Sequence, residues 1–243
     1  MTEIKVIYED DDILVLDKPA GITVNRSDTT KGEETVQDWI ETNSKIKPSD
    51  LEGKEETDFY KRSGIVHRID KETSGILLAA KNLNAFEELQ RQFKERIVKK
   101  TYLALSHGKV VPSEGEINVP VGRLPWDRKK FGVLAGGRES VTRYKVLSVM
   151  SLAIGKKEEQ MSLLELNPLS GRTHQIRVHL KYNGHPIFSD FLYAGRKTSR
   201  DDRKVLGRVF LHAHKISFIH PVTKETVSFQ SPLPSELETI ISK

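Results

Sequence analysis

The chain has 243 residues, 37% hydrophobic and 30% charged, enough to bury a core as one large domain or two closely joined ones. It contains no cysteine, which excludes disulfide frameworks, cysteine-ligated zinc, iron–sulfur clusters and thiol nucleophiles. The net charge of +5 is uneven, with 7 Lys+Arg against 16 Asp+Glu in residues 1–60 and 32 against 18 in residues 61–243.

Met1 to Asp12 has no basic-then-apolar signal, so a bacterial-type cytoplasmic protein is the expectation. Ile4–Tyr8 and Ile13–Asp17 are short apolar runs around an acidic turn and predict a hairpin. Lys18-Pro19-Ala20-Gly21 breaks the pattern, Glu33–Thr42 predicts a short helix, and Asn43–Asp58 a charged loop. Gly75–Ala80 reads as a buried strand. Its apolar core, Ile76 to Ala80, is the longest such run in the chain and far too short to span a membrane. Asn84–Arg96 predicts a helix with Phe86, Leu89 and Phe93 on one face. Further strands are predicted at Lys100–Leu105, Ser140–Ser148, Met161–Leu166, Val209–His212, Lys215–Ile219 and Thr226–Phe229. Thr173–Tyr182 reads as a helix capped by Asn183-Gly184, and Pro234–Ile241 as a last one. The pattern predicts a β-rich α+β domain over residues 1–243, with a large mixed or antiparallel sheet and few helices.

A basic body beneath an acidic N-terminal segment suits a polyanionic partner, nucleic acid first, although such charge can also merely keep a protein soluble. Three segments carry chemistry. In His67-Arg68-Ile69-Asp70-Lys71-Glu72-Thr73-Ser74-Gly75 a single carboxylate, Asp70, sits between two apolar runs. Taken alone it reads first as a turn cap acting through Thr73 and Ser74. In Gly171-Arg172-Thr173-His174-Gln175-Ile176-Arg177-Val178-His179, a helix would put Thr173 and Arg177 on one face. A partly buried Arg there needs a carboxylate or phosphate partner. In Lys100-Thr101-Tyr102, the tyrosine alternates with apolar residues like an ordinary core tyrosine.

In this order and spacing, the three segments closely resemble the RluA-type family of RNA pseudouridine synthases. Asp17-Lys18-Pro19-Ala20-Gly21, Gly184-His185-Pro186-Ile187 with Asp190 and Tyr193, and Leu211-His212-Ala213 extend the resemblance along nearly the whole chain. Ile69 stands where the family usually has Leu, a conservative change. Many members begin with a small RNA-binding domain, and this chain is expected to lack one.

The resemblance implies the pseudouridine synthase fold: a large mixed or antiparallel sheet with flanking helices and loops around a central RNA-binding cleft. It also implies isomerisation of uridine to pseudouridine in structured RNA, an rRNA or tRNA stem-loop, with the base flipped into a pocket. The reaction adds and removes no atoms, so no cofactor and no metal are expected. Asp70 matches the essential carboxylate, acting as a nucleophile or stabilising charge on the sugar. Arg177 matches its cationic partner, and Tyr102 the aromatic that stacks under the uracil. Arg68 matches the position that fills the gap left by the flipped base. Ile176 is placed as a pocket wall, while His67, Thr73, Arg172 and His174 are placed against scaffold or phosphate. His212 and His214 are spaced like metal ligands, but no third ligand joins them. A monomer is expected, and the alternative reading is a catalytically idle RNA-binding protein of the same fold.

Overall fold

The computed structural model describes residues 3–27, 30, 32–44, 57–155 and 157–242. The strands are β1 (Lys5–Glu9), β2 (Ile13–Lys18), β3 (Ser74–Ala80), β4 (Lys99–His107), β5 (Glu114–Asn118), β6 (Val121–Leu124), β7 (Asp127–Val133), β8 (Val141–Ile154), β9 (Lys157–Pro168), β10 (Leu211–Ile219) and β11 (Thr226–Gln230). The helices are α1 (Val36–Asn43), α2 (Asp58–Lys61), α3 (Leu83–Lys94), α4 (Gln175–Tyr182), α5 (Arg196–Asp202) and α6 (Ser235–Ile241). The chain forms two compact units, Met1–Lys99 with Lys215–Pro232 and Lys100–His214 with Leu233–Lys243, so β10 is divided between them.

In the first unit β1, β2 and β3 pair antiparallel in that order. The β1–β2 turn is closed by Asp10, whose carboxylate accepts the N–H groups of Asp12 and Ile13, each at 2.8 Å. All seven residues of β3 are buried, which is why its sequence is a continuous apolar run rather than an alternation. α1 starts at a capping box in which Thr35 and Asp38 satisfy each other's backbone N–H groups. α3 starts at Asn82, whose side chain accepts from Ala85 N. It buries Phe86 and Leu89, and Phe59 of α2 meets Phe86 edge-on at 5.5 Å. Gln92, fully buried, donates to Ile219 O at 2.7 Å and accepts Ile219 N–H at 2.9 Å, tying α3 to β10.

The second unit holds the antiparallel order β4-β9-β8-β5. β6 and β7 form a separate two-stranded ribbon. Its core gathers Leu105, Leu164, Leu166, Ile176, Leu180, Phe188, Phe210 and Leu237. α4 ends in a Schellman arrangement: Gly184 N–H reaches Lys181 O, and His185 N–H reaches Leu180 O. Gly184 supplies the required left-handed backbone, φ 83°.

The α+β class is as expected, and three details differ from the sequence reading. Val209–His212 and Lys215–Ile219 are not two strands: residues from Leu211 onward make one strand through His214. Leu211, His212 and Ala213 are buried in a row and burial alternates only from Lys215 on, so the change of pattern falls inside one continuous strand. The fourth helix begins at Gln175, not Thr173, because His174 takes a left-handed conformation at φ 56° and ends the helix there. The short elements β5, β6, β7, α2 and α5 lack a run long enough to show a period. The charged loop read over Asn43–Asp58 lies mostly outside the described residues.

Gly64 prepares the approach to Asp70. It has φ +75°, and a Cβ there would lie 2.0 Å from Ala80 O, the residue whose N–H donates to Gly64 O at 2.8 Å. Gly64→Ala is expected to destabilise the chain by about 3 kcal/mol or more, combining left-handed strain with a backbone overlap. Urea unfolding of the purified variant measures it.

Candidate active site

In the first unit, the segment from Gly64 to Thr73 is held by its backbone. Ile65 bridges Ala79, and Val66 N–H reaches Leu78 O at 3.4 Å. His67 Nε2 accepts Leu78 N–H at 3.0 Å, and its ring stacks on Phe93 at 5.0 Å. An accepting Nε2 leaves the imidazole neutral with its proton on Nδ1. Next along, the Arg68 side chain is exposed and Ile69 is buried.

Asp70 opens a turn closed by Thr73 N–H on Asp70 O at 3.1 Å. The main chain, not the Thr73 hydroxyl, makes this closure, since Thr73 Oγ1 is buried without a hydrogen-bond partner among the described residues. Thr73 is therefore a packed residue of the turn.

The turn is anchored from below. Lys18 has no exposed surface, and its ammonium donates to Pro19 O at 2.9 Å, Ile22 O at 2.8 Å and Lys71 O at 3.2 Å. Gly21 N–H also reaches Lys71 O, at 2.7 Å. A buried ammonium is tolerable only with such a full set of acceptors. Lys18 thereby fixes the residue next to Asp70, a positioning role that the Asp17–Gly21 motif did not reveal by itself.

In the second unit, Tyr102 is half-buried on β4 opposite Leu166 and packs on the same core that buries Ile176. Two residues earlier, and so on the same side of the strand, Lys100 donates to Ser170 O at 3.2 Å. Burial pulls its ammonium down to about 8 from the usual lysine range.

Ser170 begins the turn into α4, and Gln175 organises it with all four amide valences. Gln175 Oε1 accepts Ser170 Oγ at 2.8 Å and Arg172 N–H at 3.0 Å. Its Nε2 donates to Val141 O at 3.0 Å and Thr142 Oγ1 at 3.1 Å. Thr142 in turn donates to His179 Nδ1 at 2.9 Å, and His179 Nε2 lies 3.2 Å from Val119 O. Burial lowers the His179 pKa and keeps that imidazole neutral. Arg172 Nε donates to Glu139 O at 3.4 Å, and the residue stays partly exposed.

Arg177 is 7% exposed and binds Asp190 bidentately, Nε to Oδ2 at 2.7 Å and Nη2 to Oδ1 at 2.9 Å. Asp190, fully buried, also accepts the N–H groups of Leu192 at 3.0 Å and Tyr193 at 3.2 Å. The Arg177 guanidinium lies 5.0 Å above the Tyr193 ring. Tyr193 OH accepts Phe131 N–H at 3.0 Å and sits 2.8 Å from His174 Nδ1. His174 and Arg177 are thus gathered around Tyr193 and Asp190. Thr173 lies before the helix and shares no helical face with Arg177.

Asp190 is the carboxylate that a buried Arg required and that the sequence reading did not assign to it. The available signal was an Asp in the loop directly after the Arg-bearing helix. Among the described residues, the one group with metal-ligand spacing is Asp10, Asp12 and His220 in the first unit, not the histidines of β10. Its atoms are engaged already: Asp10 with His220 at 3.0 Å and with the β1–β2 turn, Asp12 with Asn82 at 2.8 Å.

Residues 12–182, a span that includes Asp70, Tyr102 and Arg177, match the family model described as RNA pseudouridylate synthase. The chain belongs to that family. Ribosomal large subunit pseudouridine synthase D of Neisseria meningitidis serogroup B is 38% identical over 98% of the chain. Synthase C of Vibrio parahaemolyticus is 38% identical over 97% of the chain and 68% of its own length. The chain spans 60% of the length of the Neisseria relative. Among solved structures, human RNA pseudouridylate synthase domain containing 1 superposes with a TM-score of 0.71 at 29% identity, covering 95% of this chain and 83% of that one. The family read from the three motifs is the family found.

The depressed Lys100 value carries a sign. Between about pH 8 and the unfolded value near 10.5 the unfolded chain holds more protons, so stability should rise with pH across that window. Lys100→Met has no charge to desolvate and should lack the rise. Unfolding free energies at pH 7.5 and 10 should shift relative to each other by about 2 kcal/mol in favour of the native lysine at the higher pH.

Proposed function

We propose that residues 1–243 act as one catalytic domain that isomerises uridine to pseudouridine in RNA, with Asp70 as the essential carboxylate. The observation that carries the reading is the Asp70 turn. It lies inside the span matching the family model and is pinned by main-chain closure and by the buried Lys18.

In this reading the uridine is flipped out of its stack and Tyr102 stacks under the uracil. The ionised Asp70 acts at the breaking glycosidic bond, as nucleophile or as counter-charge. Arg177, oriented by Asp190 and Tyr193, favours the ionised form of Asp70. Tyr102 takes or delivers a proton in the second half-reaction, and Arg68 fills the space left by the flipped base. Arg172 meets a phosphate, while Ile176 and His174 shape the pocket. The isomerisation conserves every atom, so the chemistry calls for no redox carrier.

The name ribosomal large subunit pseudouridine synthase, carried by two relatives, favours ribosomal RNA as the substrate, with tRNA as the other candidate. The proposed recognition unit is a short stem-loop with its uridine in or beside the loop, read as splayed bases rather than as a groove. Among the described residues no helix is long and apolar enough to cross a membrane, which is compatible with cytoplasmic action on such RNA.

Asp70→Asn should abolish pseudouridine formation while RNA binding persists, and a variant keeping a tenth of native turnover would sink the assignment. Mapping pseudouridines in rRNA and tRNA from cells with and without the gene identifies the target. Arg177→Met should slow single-turnover chemistry at saturating RNA far more than Arg172→Met. The latter should instead weaken binding and reduce its salt dependence by roughly one phosphate contact.

A further inference from the structure

The two-stranded ribbon has no part in the reaction outlined above, yet its tip is built unlike the rest of the surface. β6 and β7 join through a two-residue turn, Pro125-Trp126, between the paired residues Leu124 and Asp127. Trp126 there is 74% exposed, more than any other large apolar residue described. An indole in water at a turn contributes nothing to a core, and a fold of this size has no need of it.

Basic residues surround it. The ribbon carries Arg123, Arg128, Lys129 and Lys130 against one acid, Asp127. Arg123 is used internally, over the Phe131 ring at 4.9 Å and donating to Arg128 O at 2.7 Å. Lys130 lies 3.6 Å from Asp127. Arg128 and Lys129 are exposed and have no ion pair among the described residues.

The root of the ribbon, by contrast, is fixed. Val121 packs with Val178 of α4 and with Tyr193, with Phe131 and Val133 against them. Phe131 N–H donates to Tyr193 OH, and the Phe131 ring meets His174 edge-on at 5.6 Å. Val121 and Arg138 exchange backbone hydrogen bonds of 2.9 Å on the other side. The arm is therefore anchored on the aromatic that lies against Arg177, with its tip in solvent.

We propose that this ribbon is an RNA-docking arm: Trp126 stacks on an unpaired base outside the target nucleotide, and Arg128 and Lys129 hold the adjoining phosphates. An isolated aromatic flanked by unpaired cations fits single-stranded RNA, whose bases offer a π-face to any sequence. A protein partner would instead call for a contiguous apolar patch, which one indole among four cations does not provide. The proposal rests on the RNA-modifying reading, and the test separates the two.

The chain has two tryptophans, so Trp39→Phe leaves Trp126 as the sole emitter. Titration of that variant with a mixed-sequence single-stranded RNA should give saturable quenching, and an RNA duplex of equal length should give little. Trp126→Ala should raise the Kd for the single strand and the KM for an rRNA transcript about tenfold, with kcat changed less than twofold. Trp126→Phe should restore most of the loss. Arg128→Gln with Lys129→Gln should lower the salt slope of binding by about two contacts.

Unchanged Trp126 emission with single-stranded RNA, from protein that still forms pseudouridine in rRNA, overturns the arm and leaves the proposed activity standing. Quenching by RNA from protein that forms no pseudouridine overturns the activity and leaves the arm. Emission that changes with protein concentration alone, without RNA, would assign the tip to a second copy of the chain and overturn the proposal.

Discussion

The buried pair of Arg177 and Asp190 is the constraint on which the second unit depends. A guanidinium 7% exposed cannot remain charged there without a carboxylate in bidentate geometry, and removing one partner of such a pair costs on the order of 3–5 kcal/mol. Asp190 meets that need while its Oδ1 also collects two backbone N–H groups, which fixes the loop bearing Tyr193. Tyr193 then places three things at once: its ring lies against the guanidinium, its hydroxyl meets His174, and the same hydroxyl holds Phe131 at the root of the ribbon. One carboxylate therefore sets the direction of a proposed catalytic cation and the anchorage of a proposed RNA-docking arm.

The first unit solves the matching problem with the opposite charge. Asp70, proposed as the essential carboxylate, is presented by a turn rather than by a strand or helix. Loops are ordinarily soft. Here softness is removed by an ammonium buried under the turn, whose three carbonyl acceptors come from Pro19, Ile22 and Lys71. The left-handed Gly64, the Ile65–Ala79 bridge and the His67–Leu78 bond align the approach to the turn along β3. The stiffness comes from polar atoms satisfied in place, which a hydrophobic contact of equal area would not direct so sharply.

Much of this was legible in the residues. β3 announces itself through a continuous apolar run, the first hairpin through two short apolar runs and α3 through apolar periodicity, because burial of one face or both is a local property of the sequence. The Asn183-Gly184 stop for α4 is equally local, since only glycine takes the left-handed position without cost. The three motifs led to the family, with Asp70, Tyr102 and Arg177 in order along the chain. Short elements were missed for the converse reason: β6 and β7 have too few residues to display a period, so the segment around Trp126 received no assigned element.

The sequence by itself determined the fold class, the family and the identities of the residues proposed for chemistry, because each depends on residue type and on spacing along the chain. Only the tertiary structure decided their partners. Asp190 as the ligand of Arg177, Lys18 beneath the Asp70 turn, and Tyr193 between His174 and Phe131 join residues 13, 53 and up to 62 positions apart. The left-handed His174 that delays α4 was likewise decided by its surroundings. Residues that far apart meet only when the chain closes its core, and a buried charge finds its counter-charge only in that closed state.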